Sequence, residues 1–278
     1  METLRRIEPL RAYRQDEIET YKQQDTGKVP EFRWVCPTDL YVDETYQRKL
    51  RKRSLLLIDS IIKRFSWRRL KPPIVVALED GTLHCIDGQH TAIAAATLQL
   101  NKIPVVVVEA DTVELRADAF VGHNRDRVIM EPIDIYKGLL KANDPDAMDI
   151  HNVCTRAGVR IHQVQMRGVT RVGDCAAIRV IGHLIKRHSP MKARRVLEAL
   201  VKAGRAPIQR VEIDAVEAMM LVKCPQLDPD QMAKIIRRVG EDGLVYSRVK
   251  AASEKRPWKH TLFEAYYMAL EKQREHAV

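Results

Sequence analysis

The stretch 82-TLHCIDGQHTAIAAATLQLNKIPVVVV-108 joins a strand-like run to an alanine-rich helix and then to a second strand-like run. Asp87, Gly88, Gln89 and His90 stand where the first strand meets the helix. The free N–H groups and the macrodipole of a helix point into such a turn and make it a seat for phosphate. A glycine there lets backbone approach a ligand closely. The same quartet can also be a plain turn in which Asp87 caps the helix, so the four residues alone leave both interpretations open.

The periodicity of apolar residues predicts an α+β protein whose two halves differ in their secondary-structure pattern. Before residue 143, strand patterns alternate with helical ones, and Asp80-Gly81 marks a hairpin. We predict strands at 38–42, in 72–86 and at 103–109, with helices at 9–24, 54–67, 89–99 and 112–121, and another after Pro132. From about residue 145 the pattern is helical, with helices predicted at 174–188, 191–203, 211–223, 230–240 and 259–273. The prediction is a helical lead-in over 1–37, an α/β domain over 38–143 and an all-helical domain over 144–278.

Composition excludes several classes of protein. No apolar run reaches 18 residues, the length of a membrane span, and the charged N-terminus lacks the apolar core of a secretion signal. The five cysteines include no C-x-x-C pair, which is typical of free thiols in a reducing cytosol rather than of a disulfide framework or a zinc module. We therefore expect a cytoplasmic protein without a membrane partner.

The net charge of +10 is concentrated in the second half of the chain. Residues 141–278 hold 25 Lys and Arg against 16 Asp and Glu, and 13 of these basic residues lie within Arg156–Arg210. Concentrated positive charge attracts polyanions and predicts DNA as the partner, although a solvated face without a partner is the alternative. The candidate DNA-binding residues are Arg156, Arg160, Lys186, Arg187, Lys192, Arg194 and Arg195. Aromatic residues make up only 5% of the chain, which argues against base stacking along a single strand.

The segment 147-AMDIHNVCTRAGVRIHQVQ-165 has a helix, an Ala-Gly-Val turn and a second short segment. This order predicts a helix-turn-helix, although Gly168 shortens the supposed recognition helix. The alternative is a plain helical hairpin whose Arg156 and Arg160 are solvated.

Four segments in order resemble the N-terminal domain of the ParB/sulfiredoxin superfamily, best known from ParB partition proteins. They are 40-LYVDETYQRKL-50, 54-SLLLIDSIIKRFSWRRLKPPIVV-76, 84-HCIDGQHTAIAAATLQLNKIPVVV-107 and 123-HNRDRVIMEPIDIYKGLL-140. The Asp-Gly-Gln-His form is similar to a branch found on phages and mobile elements. The resemblance implies a ParB/sulfiredoxin-like α/β domain in a DNA-binding protein, with plasmid partition as the kind of process.

The resemblance also implies a nucleotide pocket that would hold CTP or ATP with Mg²⁺. Its residues would be Gln47, Arg48, Gly88, Gln89, His90, Thr91, Asn124 and Arg127. Gln89 replaces the family's glutamate, and His90 and Thr91 replace two arginines, so much of the charge that would grip a triphosphate is lost. Gln89 also holds the position of the sulfiredoxin catalytic cysteine, which disfavours that chemistry and leaves Cys85 as a buried structural thiol.

The same departures open an enzymatic alternative. Asp87 and His90 are candidate catalytic residues, and Asp87, His123 and Asn124 are candidate metal ligands. These residue types suit a divalent metal and phosphate-ester hydrolysis, as in a nuclease or nucleotide hydrolase. A catalytically silent interaction protein is the third alternative. We expect first a homodimeric, ParB-like DNA-binding protein of a mobile element or accessory replicon, with a nucleotide pocket.

Overall fold

The computed structural model describes residues 7, 14–22, 27–45, 47, 49–126, 130–162 and 170–275. The chain forms two compact units, Met1–Val128 and Ile129–Val278. The first is an α/β unit and the second is built mainly from helices, so the predicted α+β class is confirmed.

The first unit is built on a five-stranded mixed sheet. Its strands are β1 (Glu31–Val35), β2 (Leu40–Tyr41), β3 (Ile74–Ala77), β4 (Leu83–Asp87) and β5 (Ile103–Val108), and their order in the sheet is β1-β5-β3-β4-β2. β3 and β4 form the antiparallel hairpin that the Asp80-Gly81 turn predicts. β5 runs parallel to β3, and β1 pairs antiparallel with β5 at the edge of the sheet. β1 lies within the stretch predicted as a helical lead-in, so that prediction is wrong for 31–35, where the backbone is paired with β5.

Helices cover both faces of this sheet. The helices of the unit are α1 (Gln15–Lys22), α2 (Lys52–Lys63), α3 (Gln89–Thr97) and α4 (Val113–Arg125). The small side chains of Ala92, Ala94 and Ala95 are buried, which allows α3 to approach the sheet closely. Phe120 of α4 packs on the opposite face, against the cluster around Ile86. Thr112 caps α4 by accepting a hydrogen bond from the Leu115 N–H at 3.2 Å.

Among the described residues of the second unit, a hydrophobic core extends from Ile133 to Leu270. Its helices are α5 (Pro132–Lys141), α6 (Pro145–Ala157), α7 (Ile178–Arg187), α8 (Pro190–Lys202), α9 (Arg210–Glu217), α10 (Pro229–Ser253) and α11 (Trp258–Glu275), and a π-helical turn, Ala218–Lys223, follows α9. The helix predicted at 230–240 does not end at Gly240. α10 has a kink at that glycine and continues to Ser253. Within the residues that the structure describes, no helix is both long and apolar enough to cross a membrane.

Two short strands correct the expectation of an all-helical second domain. β6 (Arg160–Ile161) pairs in parallel with β7 (Asp174–Cys175). Gly158 ends α6 in left-handed backbone, and the chain then enters β6 instead of a second helix. The predicted helix-turn-helix at 147–165 is therefore wrong for residues 160–161, and residues 163–165 lie outside the described part of the chain.

The division between the units precedes α5, whereas the sequence places the domain boundary near 143–146. Ile133 and Tyr136 of α5 are buried in the core of the second unit. The Asn and Asp residues at 143–146 therefore form a turn between two helices of one unit, since α5 and α6 pack on each other.

Candidate functional site

Gly88 connects β4 to α3 in left-handed backbone, with φ +95°. A Cβ atom at this position would lie 2.8 Å from the Cα atom of Pro73, so the turn has room only for glycine. The first helical hydrogen bond runs from the Ala92 N–H to the Gly88 carbonyl. By helical geometry, the N–H groups of residues 89–91 therefore have no partner within the helix. The predicted strand–turn–helix is confirmed, and Gly88 rather than Asp87 holds the N-cap position.

Asp87 and Gln47 are anchored on β4. The Asp87 carboxylate accepts a hydrogen bond from Lys71 Nζ at 2.9 Å and is largely buried. The Gln47 side-chain amide is buried and donates to the Cys85 carbonyl. Burial, with a smaller contribution from the charge of Asp87, raises the pKa of the Cys85 thiol to about 12. The predicted burial of Cys85 is confirmed.

Thr91 lines an open pocket of about 330 Å³ between α2, the short 3-10 turn Trp67–Arg69 and α3. The pocket is lined by Ser60, Ile61, Arg64, Phe65, Ser66, Arg69, Leu70 and Thr91. Two guanidinium groups and three hydroxyl groups thus surround a cavity beside the first turn of α3. Among the described residues, neither Arg64 nor Arg69 forms an ion pair with a carboxylate. We call this cavity the phosphate pocket, because its donors and positive charge suit a phosphate group.

The remaining candidates for the nucleotide pocket are distributed over two helices. Gln89 and His90 lie half-buried in the first turn of α3. Asn124 lies in the last turn of α4, next to the candidate metal ligand His123, and its amide donates to the Phe120 carbonyl of the same helix at 2.8 Å. Arg48 and Arg127 lie outside the described residues.

The metal-site hypothesis gains no support from the described part of the chain. Within it, no group of three or more His, Cys, Asp or Glu side chains could hold a metal ion. The candidate ligands Asp87 and His123 are therefore not part of such a group.

Most of the candidate DNA-binding residues are engaged within the second unit. Arg160 forms an ion pair with the buried Asp174, and Arg187 with Glu217. Lys186 pairs with Asp146, Arg194 with Glu198, and Arg195 donates to the carbonyls of Pro225 and Leu227. Among the described residues, Arg156 and Lys192 have no such partner. Because the other candidate cations are paired with carboxylates or carbonyls of the same unit, the positive charge available to a polyanion is smaller than the number of basic residues indicates.

An exposed basic face nevertheless runs along α7. Ile178, Ile181 and Leu184 are buried and fix the orientation of the helix. The residues on the other side are exposed at positions i, i+4, i+7 and i+8, and they are Arg179, His183, Lys186 and Arg187. Gly182 faces α6, where an added Cβ atom would lie 3.2 Å from Ile150 Cδ1, so the two helices pack closely. α7 therefore presents its basic face to solvent from a rigid support.

Sequence reasoning missed two parts of these sites. Arg64 and Arg69 belong to a basic run that is visible in the sequence, but nothing in the run indicates that they share a cavity with Thr91. Arg179 is also visible as a basic residue, and the spacing of apolar residues in α7 is the signal that places it on the exposed face.

No protein-family model matches the chain, and no curated protein matches it. Among solved structures, the C-terminally truncated chromosome-partitioning protein ParB from Caulobacter crescentus complexed with CTP-gamma-S is 14% identical, with a TM-score of 0.35, over 73% of this chain and 97% of that one. The same protein complexed to the centromeric parS site is 15% identical, with a TM-score of 0.28, over 74% and 99%. A Pnob8-like ParB-N domain is 12% identical, with a TM-score of 0.29, over 88% and 97%. Identities and TM-scores this low carry no inference about what this chain binds.

Proposed function

We propose that this protein binds duplex DNA through the exposed basic face of α7 and the start of α8. The observation that carries the proposal is the set of cations on this surface, Arg179, Lys186 and Lys192, on two helices joined by a short turn. Arg179 and Lys192 have no ion-pair partner among the described residues. Both side chains are therefore available to phosphate oxygens without first breaking an internal contact.

The ion pair between Lys186 and Asp146 does not remove Lys186 from this surface. Both side chains are more than half exposed, and such surface pairs contribute little free energy. A DNA phosphate can therefore replace the Asp146 carboxylate. An exposed helix also has the width that the major groove admits.

The DNA proposal is tested by reversing two charges that have no internal partner. In Arg179→Glu with Lys192→Glu, we expect duplex affinity to fall for all sequences alike, because phosphate contacts carry no sequence information. For the unmodified protein, affinity should fall linearly with salt on a log–log scale, with a slope near −0.9 per phosphate neutralised. Fluorescence anisotropy with a labelled duplex at several salt concentrations measures both quantities.

The matched control is Lys234→Glu with Lys272→Glu, which changes the net charge equally at exposed residues of α10 and α11. If the control weakens binding as much as the α7–α8 variant does, the effect is that of overall charge, and the proposed face is wrong. Duplex affinity that is independent of salt would contradict the proposal as a whole.

We further propose that the phosphate pocket binds a nucleotide, with CTP, ATP and Mg²⁺ as the first ligands to test. Arg64 and Arg69 support this, because they supply positive charge that is missing at His90 and Thr91. The sequence resemblance to ParB-like domains supports the remaining expectations, namely a cytoplasmic homodimer from a mobile element or accessory replicon.

Calorimetry with each of the four nucleoside triphosphates, with and without Mg²⁺ and duplex DNA, tests the pocket. Arg64→Ala and Arg69→Ala should each weaken nucleotide binding about tenfold or more, since a hydrogen bond to a charged group contributes roughly 1.5–3 kcal/mol. Arg53→Ala at the opposite end of α2 is the control and should leave binding unchanged. Absence of heat with every nucleotide would show that the pocket takes no free nucleotide.

A further inference from the structure

Four aromatic side chains, three of them exposed and Phe65 half-buried, form a surface on the first unit. Phe32 and Trp34 of β1 are 77% and 61% exposed, and Trp67 is 54% exposed. The ring centroids of Trp34 and Trp67 are 6.2 Å apart, and those of Phe65 and Trp67 are 5.4 Å apart in an edge-to-face arrangement. We call these four residues the aromatic surface. A cluster of large aromatic rings exposed to solvent marks a binding site more often than a surface without a partner.

The fold brings these residues together from two distant segments. Side chains two apart on a strand point to the same face, so Phe32 and Trp34 lie side by side on β1. Trp34 pairs in register with Pro104 of β5. The 3-10 turn Trp67–Arg69 then places the Trp67 ring against Trp34.

The aromatic surface is bordered by positive charge. Arg64, Arg68 and Arg69 are exposed and flank Phe65 and Trp67 in the chain. None of these three arginines forms an ion pair within the part of the chain that the structure describes. Arg64, Phe65 and Arg69 also line the phosphate pocket, so cations that can hold phosphate lie directly beside the rings.

We infer that the aromatic surface binds unpaired nucleotides of a nucleic-acid strand. Bases stack on the exposed faces of Trp34 and Trp67, and Arg64, Arg68 and Arg69 hold the phosphates between them. Aromatic platforms bordered by positive charge bind single strands in this way with little sequence preference, because every base has a π-face. Duplex DNA does not offer its base faces, so this ligand differs from the one proposed for α7.

The charge around the aromatic surface favours a nucleic-acid strand over a second copy of the chain as its ligand. In a two-fold dimer both partners contribute the same patch, so the interface would hold six arginines, none of which pairs with a carboxylate among the described residues of its own chain. Like charges brought together in an interface are costly, whereas a phosphate backbone complements them. The proposal also stands apart from free-nucleotide binding, because Phe32, Trp34 and Trp67 lie outside the residues that line the phosphate pocket.

The test uses the full-length protein and a labelled oligothymidylate of about 12 nucleotides, a length within the range that one such site covers. In Trp34→Ala with Trp67→Ala, we expect affinity measured by anisotropy to fall at least about fivefold, which corresponds to roughly 1 kcal/mol of lost stacking. The control is Tyr246→Ala, which removes an exposed aromatic ring from α10 and should leave affinity unchanged. In Arg68→Ala with Arg69→Ala, affinity should fall and the dependence on salt should become weaker, whereas Arg53→Ala should change neither.

Intrinsic fluorescence gives a second readout that does not depend on loss of stability. The oligonucleotide should quench the unmodified protein, because stacked bases quench indole emission. In Trp34→Phe with Trp67→Phe, only Trp258 remains, so affinity should be nearly retained while the quenching disappears.

Three results would overturn the inference. They are absence of oligothymidylate binding, equal binding by the double-alanine variant, and a concentration-dependent increase in mass that the double-alanine variant abolishes, which would assign the surface to a second copy. Binding of a blunt-ended duplex is measured in parallel, so that failure of the single-strand proposal can be distinguished from failure of the duplex-DNA proposal. The aromatic variants should leave duplex affinity unchanged, and the α7–α8 charge reversal should leave the single-strand quenching intact.

Discussion

At the scale of single residues, Gly88 has a structural role that is independent of any ligand. Its backbone is left-handed, and Pro73 occupies the space that a side chain would need. Substitution by a larger residue therefore alters the junction of β4 and α3 as well as any approach by phosphate. For this reason, variants of Gly88 report on folding, and the arginines of the phosphate pocket are the better probes of binding.

Gly81 provides the matched comparison for a prediction about Gly88. Both glycines have positive φ, +82° and +95°, but a Cβ atom at Gly81 would meet nothing within 4 Å. Alanine in left-handed backbone costs about 1–2 kcal/mol at either site. We expect Gly88→Ala to lower the free energy of unfolding by at least about 1 kcal/mol more than Gly81→Ala does, because overpacking against Pro73 adds to that cost. Urea unfolding of both variants measures the difference, and equal destabilisation would contradict the role of Pro73.

Single-residue contacts also explain why counting basic residues overstates the charge available on the surface proposed to bind DNA. Arg195 holds the carbonyls that precede α10, and Arg160 neutralises Asp174. Replacing such residues would change the fold of the second unit together with its charge. Arg179 and Lys192 carry the proposal better, since their side chains are exposed and have no ion-pair partner among the described residues.

At the scale of secondary-structure elements, the pair β6–β7 depends on one buried carboxylate. Asp174 accepts hydrogen bonds from the Arg171 N–H at 2.7 Å and from the Arg160 guanidinium, and His162 lies 2.9 Å away. Burial alone would raise its pKa, but these donors outweigh burial and hold the pKa of Asp174 at about 2. The carboxylate thus ties the strand that follows α6 to the strand that precedes α7.

This pKa predicts how stability depends on pH. The ordinary value for an aspartate is 3.8, so between about pH 4 and pH 2 the unfolded chain binds more protons at Asp174 than the folded protein does. The stabilisation is therefore complete above about pH 4 and is lost as the pH falls through about 2. We expect Asp174→Asn to lower the free energy of unfolding by about 2–3 kcal/mol at pH 7, and to lack this part of the acid sensitivity.

Urea unfolding at pH 7, 4 and 3 measures this effect, with Asp230→Asn as the control. Asp230 pairs with Lys202 at the surface, and surface pairs contribute less than about 1 kcal/mol. If Asp174→Asn and the unmodified protein lose stability in parallel as the pH falls, the carboxylate does not act as described.

At the scale of the whole molecule, each unit has its own core. The core of the second unit begins at Ile133, and the two clusters of the first unit lie on either face of its sheet. Much of the net charge of +10 belongs to the second unit, whereas the aromatic surface belongs to the first. The two proposed nucleic-acid ligands are therefore assigned to different units.

This division predicts that residues 129–278 fold alone and retain the proposed salt-dependent binding of duplex DNA. The large core within this unit is the physical reason, since burial of apolar surface is the main source of stability. Circular dichroism and thermal unfolding of the fragment test the fold, and anisotropy with the labelled duplex tests binding. A fragment without a cooperative transition would show that the second unit needs the first, and a folded fragment that does not bind would contradict the assignment of the DNA surface.

Local patterns determined a large part of this structure from the sequence alone. The hairpin around Asp80-Gly81, the turn at Gly88 and most helices of the second unit follow from periodicity and from turn residues that act over a few positions. The concentration of positive charge and the burial of Cys85 are also evident in the sequence. These features depend on neighbours in the chain, so no knowledge of distant contacts is needed.

Contacts between distant residues decided the rest. β1 exists because β5 pairs with it, and α5 belongs to the second unit because Ile133 and Tyr136 enter that core. Asp174 binds Arg160 and thereby removes a predicted DNA contact. Trp34 and Trp67 are too far apart in the chain to suggest a shared surface, and a composition of 5% aromatic residues hides their proximity. Composition and periodicity depend only on which residues are present and how they repeat along the chain. Which distant residues come into contact depends on the free energy of packing, so those contacts are seen only in the tertiary structure.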